Sequence, residues 1–186
     1  YLKFIERYTV YSRNGGFLMK KLILIGGTMG VGKTATSSLL KQKLNQSVFL
    51  DGDWCWDMHP FVVNRENKAM VMNNIVYQLN QFISCSEIEN IIFCWVMHEQ
   101  SIIDEILSRV DINHCHVYTF SLICSDDTLK AHLQTDIDAG IRSQDIIERS
   151  LERMKLYKQL NTIKIDISHS TIDETAEKIY KILNAK

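Results

Sequence analysis

Gly27-Thr28-Met29-Gly30-Val31-Gly32-Lys33-Thr34 fills every fixed position of the pattern G-x-x-x-x-G-K-[ST], a loop whose backbone N–H groups close around phosphate. The flanks agree with it: Lys21 to Ile25 reads as an apolar strand, and Thr34 to Leu44 as a helix. Glycines let successive N–H groups turn inward onto one anion, and the start of a helix adds partial positive charge there. The expected ligand is a nucleoside triphosphate, cradled by Gly27, Thr28, Met29, Gly30, Val31 and Gly32. Lys33 is expected to neutralise the β- and γ-phosphates, and Thr34 to hold Mg2+ through its hydroxyl. A plain glycine turn with a solvated lysine is the alternative.

Downstream of the loop, strand-like and helix-like stretches alternate as far as Leu183, the pattern of a parallel sheet with helices on both faces. Five strands are expected, at Leu22–Ile25, Ser47–Asp51, Asn90–Val96, His116–Ile123 and Thr162–Ile167. Between the second and third, Met72, Ile75, Val76, Leu79, Phe82 and Ile83 recur at helical spacing from about Arg65 onward, which predicts a core-facing helix. Thr171 with Glu174 three residues later predicts the start of a last helix. The fold class that follows is α/β, a three-layer sandwich around a five-stranded parallel sheet. At 186 residues the chain suits one such domain, spanning 19–186. Residues 1–18 precede Met19-Lys20-Lys21, which looks like a natural start; they are read as an upstream extension, with a native arm packed on the domain as the alternative.

A net charge of −1 with scattered basic residues lacks the footprint of a protein that tracks nucleic acid, so small molecules are the expected partners. No apolar stretch approaches the roughly 18 residues needed to span a bilayer. Five cysteines without a C-x-x-C pair suit a reducing cytoplasm. A monomer or homodimer is expected.

Ligands of such sheets sit beyond the carboxyl ends of the strands, so residues just after each strand carry the chemistry. Asp51 and Asp53 stand two apart at the end of the second strand, where period-2 geometry sends both side chains to one face. Asp51 can help to hold Mg2+, and Asp53 can orient and deprotonate an acceptor hydroxyl; an ordinary Asp-Gly turn is the competing reading. Arg142, Arg149 and Arg153, spaced by seven and four, form a basic stripe if they share a helix. The segment from about 136 to 155 then reads as a lid that closes over the phosphates, with Arg142 and Arg149 as its catalytic cations; a solvated helix face is the alternative. Trp54, Trp56, His59, Phe61 and Trp95 form an aromatic group that suits either an acceptor surface or core. His114-Cys115-His116 offers two imidazoles without the further ligands a metal needs.

The loop, followed by Phe49-Leu50-Asp51-Gly52-Asp53, a mostly apolar third strand and a late basic lid, resembles the small P-loop kinases, the group of shikimate, gluconate and adenylyl-sulfate kinases. In shikimate kinases the second strand ends in an Asp-x-Asp element that serves metal and acceptor, and Asp51 and Asp53 match it. Leu50-Asp51-Gly52-Asp53 also matches the wording in adenylyl-sulfate kinases, although Trp54-Cys55-Trp56 replaces the Asn and Arg that follow there. The layout is similar, too, to P-loop resistance proteins of the tunicamycin and chloramphenicol phosphotransferase kind. The resemblance implies ATP and Mg2+ as cofactors, and transfer of the γ-phosphoryl group to a hydroxyl of a metabolite, nucleoside or antibiotic. An ATP-binding switch or resistance-type binding protein is the alternative. The Arg-Leu-x-x-Arg that opens the lid in this group is replaced by His132-Leu133-Gln134-Thr135-Asp136. An AAA-type motor would need an acidic pair at the end of its third strand, where this chain has Cys94-Trp95-Val96.

Overall fold

Alternation along β1 (Lys20–Gly26) sends Leu22 and Leu24 to one face of a sheet and Ile23 and Ile25 to the other, and all four are fully buried. A strand apolar on both faces belongs at the centre of a parallel sheet. In the computed structural model, which describes residues 19–185, β1 lies there, between β3 (Asn90–Trp95) and β4 (Cys115–Ile123). The flanking strands are β2 (Ser47–Asp51), beside β3, and β5 (Ile163–Asp166), beside β4. All pairings are parallel, in the order β2-β3-β1-β4-β5. The expectation about residues 1–18 falls outside the described residues.

Two apolar layers close over the sheet. One joins Leu22, Leu24, Ile91 and Phe93 to Val71, Ile75 and Leu79 of α2 (Arg65–Ser84) and to Ile103 and Ile106 of α3 (Gln100–Arg109). The other joins Ile23, Ile25 and Ile92 to Leu40 of α1 (Lys33–Lys43) and to Ile179 and Leu183 of α6 (Ile172–Leu183). Leu129 and Leu133 of α4 (Asp126–Asp138) and Ile146 and Met154 of α5 (Ile146–Tyr157) extend that second layer. The result is the expected three-layer sandwich. Its helix starts are written locally: Asn64 caps α2, Ser125 caps α4, and Thr171 with Glu174 forms a capping box on α6. The chain crosses from β1 over β3 to β2, returns to β3, then moves to β4 on the other side, so the strand order reverses at β1. Ligands of such folds bind at that reversal.

Two local expectations are corrected. Extended geometry stops at Asp51, and Gly52–Trp56 coils into a 3-10 turn that Asp51 itself caps, so strand periodicity does not place Asp53. Arg142 lies off the helix of Arg149 and Arg153, because Gly140 takes a φ of 71° after α4 and α5 begins only at Ile146. Its Nε instead donates back to Asp136 Oδ2 at 2.9 Å.

Candidate active site

The loop from Gly27 to Thr34 leaves the carboxyl end of β1 and runs into α1. Gly30 and Gly32 take φ of 82° and 79°, a left-handed backbone that glycine adopts without strain. Space imposes a second demand at Gly30, where a Cβ would sit 2.7 Å from Leu133 Cδ2 of α4. Gly32 is the N-cap of α1 and offers no side chain to its first N–H groups, and the first turn holds no acidic residue. Such a helix start is prepared for an anion. Thr28 and Val31 are buried and anchor the loop on the sheet, while Met29 and Gly30 are half-exposed. Lys33 Nζ reaches back across the loop to donate to Thr28 O at 3.0 Å. Burial pulls the Lys33 ammonium below its ordinary value, against the raising fields of Asp53 and Asp51.

Thr34 Oγ1 donates to Asp51 Oδ2 at 2.6 Å, across 17 residues of sequence. The other carboxylate oxygen of Asp51 accepts the Asp53 backbone N–H at 3.0 Å. One hydroxyl and one carboxylate make a partial set of hard oxygen donors, the kind Mg2+ takes when phosphate and water complete its octahedron. Thr34 and Asp51 therefore fit the ion expected of them. Among the described residues no group of three or more His, Cys, Asp or Glu could hold a metal alone, and His114 and His116 belong to none. Cys94, behind Asp51, is pushed up to about 12 by burial and then by the Asp51 charge, which keeps it a thiol.

Trp95 emerges as the partner that sequence spacing does not supply. Its indole Nε1 donates to Asp53 Oδ1 at 3.1 Å, holding the carboxylate from the neighbouring strand. The same ring lies so close over Gly52 that a Cβ there would be 2.5 Å from Trp95 Cγ. Gly52 is thus required by contact with Trp95. The signal is the β2–β3 register, which pairs Asp51 with Cys94 and so brings Trp95 beside the turn. Partial burial, then the Asp51 charge, raises Asp53 above the ordinary Asp value, while Lys33, the Trp95 hydrogen bond and Arg142 act in the opposite sense.

The segment above the loop is the end of α4, a turn, and α5. His132 Nδ1 lies 3.1 Å from Gly30 O, and Arg153 Nη1 approaches Met29 Sδ at 3.5 Å. Arg142 is half-buried, and its positive charge acts on both Lys33 and Asp53. Arg149 is exposed and faces Asp145 at 3.8 Å. The structure therefore gathers Lys33, Thr34, Asp51, Asp53 and Arg142, adds Arg153 and Trp95, and leaves Arg149 on the solvent side. The aromatic group divides. Trp54 meets Phe49 edge-on over the α1 and α6 layer, with centroids 5.2 Å apart. Trp56 meets Phe61, with centroids 5.8 Å apart, and packs on the α2 and α3 layer.

Comparison with known proteins agrees with this architecture. A family described as AAA domain matches residues 23–155. No curated protein matches the chain in sequence. Among solved structures, the tunicamycin resistance protein of Deinococcus radiodurans superposes with a TM-score of 0.70 at 20% identity, covering 90% of this chain and 97% of that one. Shikimate kinase from Acinetobacter baumannii, in complex with shikimate, gives 0.63 at 19%, covering 91% and 98%. A gluconokinase from Sinorhizobium meliloti gives 0.62 at 12%, covering 89% and 96%. At such identities the likeness is one of fold, that of the small P-loop kinases.

Proposed function

The chain belongs to the AAA domain family, and from that membership and the geometry of its loop we propose that it moves the γ-phosphoryl group of ATP to a hydroxyl of a small molecule. A motor role is not favoured, because β3 ends in Cys94-Trp95 without the acidic pair a motor needs. The observation that carries the proposal is Asp53: a carboxylate oriented by Trp95, beside Asp51 and within the field of Lys33. A protein that only binds nucleotide has no use for a positioned acceptor base there.

Bound Mg-ATP would supply the electrophilic phosphorus and the ADP leaving group. The loop N–H groups and Lys33 hold the phosphates, and Thr34 and Asp51 hold the metal. Asp53 orients the acceptor hydroxyl and takes its proton as the new O–P bond forms and the bond to ADP breaks. Arg142, with Arg153 on α5, supplies positive charge over the transferred group when the lid closes. Asp53→Asn is expected to keep its ATP affinity in calorimetry while losing about 10²–10⁴-fold in acceptor-dependent ADP release, the usual contribution of a positioned base. A loss below about threefold would instead support a nucleotide-dependent switch or resistance-type binding protein. One observation favours that second reading: α4 carries His132, beside the loop, and Asp136 at the two positions where the kinase pattern has arginine.

A further inference from the structure

The three arginines of the lid differ in what holds them. Arg142 is paired with Asp136 at 2.9 Å, and Arg149 faces Asp145 at 3.8 Å. Arg153 has no carboxylate partner among the described residues, and its Nη1 donates instead to the thioether sulfur of Met29 at 3.5 Å. A thioether is a weak acceptor, so this half-buried guanidinium is held only loosely at the phosphate loop. Its helix is held firmly. Tyr157, one turn further along α5, is fully buried, and its Cε1 lies 3.5 Å from where a Cβ on Gly26 would stand. The end of α5 is thereby packed on the strand end that opens the loop, and Arg153 can leave Met29 for a phosphate oxygen at little cost.

Met29 is also within reach of solvent. Of the seven methionines, Met72, Met97 and Met154 are buried, whereas Met29 is half-exposed. Hydrogen peroxide transfers one oxygen atom to such a sulfur: the thioether loses two electrons and becomes a sulfoxide, and the peroxide is reduced to water. A sulfoxide oxygen is a far stronger acceptor than the sulfur it replaces, and its bond to a guanidinium is charge-assisted.

We infer that Met29 is an oxidation site that controls Arg153: as a thioether it releases the guanidinium to the γ-phosphate, and as a sulfoxide it retains it on the loop. The inference rests on the phosphotransfer reading for what Arg153 meets when the lid closes, and its test needs no acceptor. Protein treated with hydrogen peroxide, then with dithiothreitol to reverse disulfides and sulfenic acids but not methionine sulfoxide, would be compared with untreated protein. Calorimetry would measure Mg-ADP and the magnesium complex of the non-hydrolysable imido analogue of ATP, and peptide mass spectrometry would report which methionines carry oxygen. Oxidation at Met29 is expected to lower the ratio of triphosphate to diphosphate affinity about tenfold. In Met29→Leu, where Met19, Met58 and Met70 can still oxidise, peroxide should leave that variant's ratio as it was. In Arg153→Ala the ratio should be low from the start, and peroxide should lower it no further.

The inference is overturned if Met29 stays unoxidised while the exposed Met70 is converted, or if oxidised Met29 leaves the ratio unchanged. Equal weakening of both nucleotides overturns it as well, as does a further fall on oxidation of Arg153→Ala. An Arg153→Ala ratio equal to that of the untreated wild type takes Arg153 off the phosphates, which removes the phosphotransfer reading of the lid and the inference with it. A low ratio in that variant beside a wild type insensitive to peroxide removes the inference alone.

Discussion

The two sides of the site are built on opposite principles. The nucleotide side is backbone: a strand buried on both faces, three glycines with positive φ, and a helix start that no side chain caps. The Asp53 side, where we propose that the acceptor binds, is side chain: a 3-10 turn, an exposed loop, and a carboxylate whose direction is set by an indole from another strand. Backbone geometry of this kind depends on a few residue types at fixed spacing, so it is shared by proteins that have diverged elsewhere. Side-chain geometry depends on which residues happen to lie across the sheet. Asp51 belongs to both sides, with one oxygen on Thr34 and the other on the Asp53 amide.

Four substitutions test this division. Lys33→Ala should have the largest effect, weakening ATP binding by about 100-fold or more in calorimetry, because a charged donor at the phosphates is lost. Its fold should survive, and equal affinity in the two proteins would break the division at its nucleotide side. Asp51→Asn comes next: the Mg2+ concentration for half-maximal activity should rise by about 10–100-fold, as for the loss of a group that orients a metal ligand. Trp95→Phe keeps the ring over Gly52 and removes the hydrogen bond to Asp53. Turnover should fall about tenfold with ATP affinity unchanged. That bond favours the charged carboxylate, so its loss raises Asp53 further and moves the acid limb of the rate profile to higher pH. An unmoved limb would show that Trp95 serves packing alone. Arg149→Ala should be the smallest, within about twofold in turnover, since its guanidinium is exposed and paired weakly with Asp145. A tenfold loss would place Arg149 over the phosphates in the closed lid and sharpen the account of how α5 moves.

The same division explains what was legible in the sequence. The loop motif and the apolar alternation of β1 to β4 identify the fold within a residue or two at most strand ends, because both arise from local spacing. Thr34 and Asp51 are legible in the sequence as two separate oxygen donors, yet their 2.6 Å contact joins β2 to α1 and needs the folded sheet. Trp95 was readable only as an aromatic at a strand end, since its bond to Asp53 spans 42 positions. The arginine stripe misled because spacings of seven and four imply a common line only on an unbroken helix. Gly140 and the Arg142–Asp136 pair break that continuity.

The central position of β1 also sets an order of events during synthesis. Its first partner, β3, pairs Asn90 with Lys21, so roughly seventy more residues must follow before either edge of β1 finds a neighbour. At cellular rates of translation that interval is on the order of ten seconds. Throughout it, a run as apolar as Leu22-Ile23-Leu24-Ile25 stands as an open strand edge, the kind of surface that draws other chains. The strand that carries the phosphate-binding loop is therefore the one that waits longest for a partner, and poor yields on rapid overexpression are expected to ease when translation is slowed.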